Sequence, residues 1–254
     1  MYGYFDLWDK VKRYFRFTPL ELRSILIVIL IFTFITTFNK WGGETFDAQA
    51  GIQNLVLWGF IIAISVVLHI SAQKIVGLHN GFRVEFNIWW YGLLLGIILA
   101  FVTKGTLWLL LPGGITLYHM STHRLGYFRY GTNYFAVAMA ALAGALANIL
   151  LATFIKTFEV WFGVPISDIE LLNNLVFFNW MYALLSLLPF PPLDGWAVLF
   201  NSRLVYAFIF GSIAGYGALI LLGIYSFVFA LLIGGIIWLL FYLFFERGLW
   251  KLIS

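Results

Sequence analysis

Apolar runs of about 20 residues recur from one end of this chain to the other, and each is long enough to cross a hydrocarbon core of about 30 Å at 1.5 Å per helical residue. Such runs must satisfy their backbone hydrogen bonds inside the bilayer, which selects helices. Of 254 residues, 63% are hydrophobic and only 10% are charged, leaving no room for a separate soluble domain. The expected fold class is therefore all-α: a polytopic membrane helical bundle.

The first 20 residues read differently from the rest. Lys10, Lys12, Arg13 and Arg16 alternate with Tyr4, Phe5, Leu7, Trp8, Val11 and Phe15, a spacing that suits an amphipathic helix lying on the membrane surface. Residues 21–254 then form a single transmembrane domain. Thr18, Pro19 and Glu21 start a first span over Leu22–Phe38, and Asn39–Gln53 is a short polar loop. A second span covers about Asn54–Leu78. The third stretch, Ile88–Leu111, is interrupted by Thr103, Lys104 and Gly105, so it either crosses or turns back as a re-entrant hairpin. Tyr134–Phe158 and Leu172–Leu188 are further spans, and Leu204–Phe245 is long enough for two, divided near Gly223–Ser226. The total is about six transmembrane helices plus the re-entrant segment.

Lysine and arginine collect on the cytoplasmic side of membrane proteins. With the third stretch re-entrant, Lys10–Arg23, Arg83, Arg124, Arg129, Arg203, Arg247 and Lys251 share one side, and Glu44, Asp47, Glu159, Asp168 and Glu170 share the other. Both termini are thus expected in the cytoplasm. The net charge of +4 sits beside apolar segments, where it meets anionic lipid and sets topology, so nucleic acid is not an expected partner. The chain has no cysteine, so disulfides, thiolate metal sites and cysteine nucleophiles are excluded, and any metal must use His, Asp or Glu.

Ionisable groups at membrane depth are expensive and mark candidate sites. His69 lies inside the second span with Gln73 one turn later on the same face. Asp194 follows the fifth span in Leu188-Pro-Phe-Pro-Pro-Leu-Asp-Gly195, where the prolines break any regular helix and the backbone must be buried in protein or line a cavity. His119 and His123 stand at i and i+4 among turn residues, as a metal pair or as polar interfacial residues; His79 precedes the turn signal Asn80-Gly81 and reads as a helix-end residue. For His69 the plain structural role is a buried imidazole hydrogen-bonded to Gln73, Asp194 or a backbone carbonyl; for Asp194 it is a cap on the segment that follows or a pairing with His69.

The run Leu188–Gly195 resembles the signature of the site-2 protease family of intramembrane zinc metalloproteases, in which the Asp of a Leu-Asp-Gly motif is the third zinc ligand. Ala143-Gly144-Ala145-Leu146-Ala147-Asn148 is similar to that family's Ala-Gly-Pro-x-x-Asn element, and His69 stands where its HExxH helix begins. The resemblance covers a core of about residues 54–200 and implies that His69 and Asp194 approach one another around one metal position.

This chain departs from the pattern at four functional positions. It reads His69-Ile70-Ser71-Ala72-Gln73, so Ile70 stands where the family places its general base and Gln73 where it places its second zinc-binding histidine. Ala145 replaces the Pro of Gly-Pro, and Ser186 replaces an Asn. Losing a base typically costs about 10²- to 10⁴-fold, and losing a ligand weakens the metal separately. The resemblance therefore implies a pseudoprotease with a degenerate site of His69, Gln73, Asp194, Asn148 and Ser186, no catalytic residue and no cofactor; zinc would rest on His69 and Asp194 if retained. Its expected partners are lipid and other transmembrane proteins. The alternatives are an active zinc protease with an unorthodox site and a small transporter or channel subunit.

Overall fold

The computed structural model describes residues 4–42, 45–120, 134–163 and 169–247. Five of its helices are long and apolar enough to cross a membrane, as the hydropathy pattern requires. The chain is an integral membrane protein built as an all-α bundle, with one small two-stranded sheet among the described residues.

Helix α1 (Tyr4–Tyr14) carries the amphipathic segment, laced by Lys10–Asp6 and Arg13–Asp9 pairs one turn apart. Helix α2 (Pro19–Thr37) opens on a capping box. The Thr18 hydroxyl accepts from the Glu21 N–H while the Glu21 carboxylate accepts from the Thr18 N–H, satisfying two donors the helix cannot reach. Helix α3 (Ala48–His79) begins six residues before the expected start, because the Asp47 carboxylate accepts from the Gln49 and Ala50 N–H groups and stabilises a turn that reads as polar loop.

The third hydrophobic stretch folds as a hairpin whose two ends are held together by a strand pair. Strand β1 (Phe82–Ile88) leads into α4 (Trp90–Val102), whose 13 residues reach only about 20 Å. The chain turns at Lys104, which has a positive φ, and Gly105 meets Phe38 and Asn39 at the far end of α2. It then returns as strand β2 (Gly113–His119), antiparallel to β1 with Arg83 opposite Tyr118 and Asn87 opposite Gly114. In β1 the apolar Phe82, Val84 and Phe86 are buried and Arg83, Glu85 and Asn87 face outward. That period-2 alternation was present in the sequence; only the hairpin made it legible.

Helices α5 (Tyr134–Phe162), α6 (Glu170–Ser186), α7 (Asp194–Asn201), α8 (Arg203–Leu221) and α9 (Phe227–Phe241) complete the bundle, and a π-helical turn, Tyr242–Glu246, extends α9. The α8–α9 division at Leu222–Ser226 falls where the Gly223–Ser226 break places it. At 17 residues, or about 26 Å, α6 is the shortest of the expected spans.

One buried ionic knot ties the hairpin to the bundle. The Lys74 ammonium donates to Glu21 Oε2 at 2.8 Å, to the Val84 carbonyl at 3.0 Å and to the Arg16 carbonyl at 3.1 Å, so all three of its protons are used. Glu21 Oε1 accepts from the Phe86 N–H. The knot joins the α1–α2 linker, α2, α3 and the outer edge of β1, placing the start of α2, the end of α3 and the hairpin base at one end of the bundle. At the opposite end Lys40 sits over the Trp58 ring. Burial pushes its pKa below the ordinary lysine value, and the Glu170 carboxylate partly offsets the shift. Of the charges that the sequence sorted by side, Arg124, Arg129, Glu44, Asp168 and Lys251 lie outside the described residues.

Candidate functional site

Four helices and one turn converge on His69. It lies ten residues before the end of α3 and is 2% exposed. The α5 helix approaches it through Gly144, where a Cβ would collide with the imidazole, so a side chain at this position would push α5 off α3. The Tyr182 ring of α6 lies 4.7 Å from the imidazole, centroid to centroid. Asp194, 4% exposed, opens α7 immediately after the Pro-rich turn. Gly195 lets that turn close, since a Cβ there would strike the Leu187 carbonyl.

His69 and Asp194, 125 positions apart, meet as Nε2 to Oδ2 at 3.0 Å. The Gln73 amide nitrogen is 2.9 Å from the same carboxylate oxygen, 3.2 Å from His69 Nε2 and 3.4 Å from the Ala141 carbonyl. The donor count closes when His69 carries its proton on Nε2 and gives it to Asp194, while the two Gln73 N–H groups go to Asp194 and Ala141. An oxygen in the place of that nitrogen would face two acceptors, which fixes the orientation of the amide. The result is a closed triad in which Gln73 holds partial positive charge between a carboxylate and an imidazole. Asp194 makes no side-chain cap on α7; of its two structural roles, the pairing with His69 is the one adopted.

This donor set does not fit zinc. Catalytic zinc takes three protein ligands, whereas only His69 and Asp194 bring a metal-ligating group type to this cluster. Gln73 also presents N–H groups, not a lone pair, toward the centre. Among the described residues no group of three or more His, Cys, Asp or Glu side chains is arranged to hold a metal. Ile70 is wholly buried among the apolar side chains of the core, so the position carries neither a proton acceptor nor a path for one.

The remaining sequence candidates fall outside the triad. The Ser186 hydroxyl donates to the Ala183 carbonyl of its own helix. Asn148 is wholly buried, and neither atom of its amide has a hydrogen-bond partner among the described residues. His119 ends β2 with its ring 4.9 Å from that of Phe82, so it stands on a strand and cannot form a helical i, i+4 pair; His123 lies outside the described residues. His79 ends α3, as read from the turn that follows it. Sequence reasoning missed Tyr182 and the Glu21–Lys74 pair. Asn179, Tyr182 and Ser186 recur at helical spacing in the mainly apolar second half of α6, a polar stripe that could have marked its inward face.

A protein of Methanocaldococcus jannaschii, named as a candidate zinc metalloprotease, is 28% identical to this chain over 205 residues, covering 80% of the chain and 95% of that protein. No family model matches the chain, and no solved structure does. The chain is thus a membrane-helical protein with a distant metalloprotease-like relative.

Proposed function

We propose that this chain is a pseudoprotease of the site-2 type: a membrane scaffold that keeps the helical frame around an ancestral metal position and binds other transmembrane proteins without hydrolysing them. The observation that carries the reading is the His69–Gln73–Asp194 triad, closed by an amide where a third ligand would stand. Ile70 in the base position supports it independently, since general bases contribute about 10²- to 10⁴-fold. The named function of the archaeal relative supports descent from a zinc enzyme.

The scaffold comprises the interfacial segment 1–20 and six crossings with both termini in the cytoplasm, α6 supplying the sixth. Its partner is a transmembrane helix. An apolar crevice of about 290 Å³ between the candidate spans α5, α8 and α9, lined by Leu150, Phe208, Ile209 and Leu231 among others, is suited to large apolar side chains of such a helix.

The test combines metal analysis of gently purified protein, cleavage assays on transmembrane substrates and a photo-crosslinker at Leu150 in native membranes. The expected result is no stoichiometric zinc, no cleavage and crosslinks to a discrete transmembrane protein. Zinc near one per chain with chelator-sensitive cleavage, abolished by Asp194→Ala, would establish the alternative that the relative's name favours, an active zinc protease. Crosslinks to lipid alone would remove the scaffold role.

A further inference from the structure

The triad uses only part of the polar surface buried around it. Asn148 Nδ2 and Oδ1, Asn179 Oδ1, Tyr182 Oη, His69 Nδ1 and Asp194 Oδ1 are all buried and have no hydrogen-bond partner among the described residues. Asn148, Asn179 and Tyr182 are wholly buried.

Helical register brings most of these atoms to one place. Gly144 of α5 abuts the His69 imidazole, and Asn148, four residues on, lies about 6 Å farther along the same face. Ser65 lies four residues before His69 on antiparallel α3, hence at the level of Asn148, and its hydroxyl accepts from Asn179 Nδ2 at 2.9 Å. Tyr182, beside the His69 ring, is three residues after Asn179 on α6. Three helices thus supply a polar layer one turn beyond the triad, in the middle of the bundle. A buried polar atom without a partner loses the hydrogen bonds it had in water, and a cluster of them is incompatible with the marginal stability of a folded chain. The missing partners must be small and able both to donate and to accept, because the layer offers amide N–H, amide oxygen, a phenol and an imidazole nitrogen.

We propose that Asn148, Asn179 and Tyr182 form an internal water site at membrane depth, a cluster of ordered waters that completes the hydrogen bonding of these side chains and of the outer face of His69. The site is independent of whether the chain is a protease or a scaffold.

Radiolytic hydroxyl-radical footprinting of the intact protein in lipid nanodiscs tests it, because radicals generated from bound water modify side chains that bulk radicals do not reach. Tyr182 should be modified at a rate comparable with that of Tyr118, exposed on β2 at the hairpin base, and Trp180, whose Nε1 already donates to the Ile213 carbonyl, should be protected. Asn148→Leu should abolish the Tyr182 modification while Tyr118 is unaffected. Protection of Tyr182 equal to that of Trp180 in the unsubstituted protein overturns the proposal. So does unchanged modification of Tyr182 in a folded Asn148→Leu variant.

Discussion

Replacing Gln73 with His separates a hydrogen-bonded clasp from a metal site in a single step. The substitution removes two amide N–H groups, one donated to the Asp194 carboxylate at 2.9 Å and one to the Ala141 carbonyl at 3.4 Å. A bond to a charged acceptor contributes about 1.5–3 kcal/mol and a long neutral one about 0.5 kcal/mol, so the metal-free variant should lose roughly 2–4 kcal/mol. It should also gain what the native chain lacks, a third ligand facing His69 and Asp194. Zinc at about 100 times its dissociation constant would return about 2.7 kcal/mol, most of the loss. The assay is denaturant or thermal unfolding in mixed micelles, followed by fluorescence of the 11 tryptophans, with zinc or chelator present. The native protein should respond to neither, and Gln73→His should be weak with chelator and restored by zinc. A native protein that loses about 2 kcal/mol or more on chelation would refute the reasoning, because the triad would then be a metal cage. Zinc-indifferent Gln73→His in a folded state would show that His69 and Asp194 are not placed to share an ion.

Three further outcomes follow from the same geometry. Lys74→Met should destabilise the fold by about 3–5 kcal/mol by leaving the Glu21 carboxylate buried and unpaired, and Glu21→Gln combined with it should recover a large part of that loss in the same unfolding assay. Ile70→Glu alone should destabilise by several kcal/mol, since it places an unpaired carboxylate at a wholly buried position, and cleavage assays should show no activity. Single cysteines at Glu170 and Arg203 should react from opposite faces of sealed vesicles, a clean measurement in a chain with no cysteine; labelling from the same face would break the six-crossing topology.

The buried knot and the triad differ in how the sequence announces them. The capping role of Glu21 is local, three residues from Thr18, and the Thr-Pro-x-Glu pattern declares it without any tertiary knowledge. Its pairing with Lys74, 53 positions away, has no such signal, because charge alone does not say which distant cation will be buried against it. The hairpin stands between these cases. Thr103, Lys104 and Gly105 marked the reversal, while the strands Phe82–Ile88 and Gly113–His119 flank the apolar stretch as seven-residue segments that no local signal pairs, and only the tertiary register of β1 on β2 reveals them.

By itself the sequence determined the helices and their breaks, since a segment in hydrocarbon must close its own backbone hydrogen bonds, and that requirement is met within 20 or so neighbouring residues. The division at Gly223 to Ser226, the caps at Thr18 and Asp47 and the Pro-rich interruption before Asp194 are all local events of this kind. Resemblance suggested that His69 and Asp194 meet. It could not say on what terms. Only the packing of α3, α5 and α7 decided that the Gln73 amide turns its nitrogen inward, because the orienting acceptor is the Ala141 carbonyl, a backbone atom 68 positions away. A main-chain oxygen is the same in every residue, so no reading of side chains along the chain can reveal which one a buried amide will find.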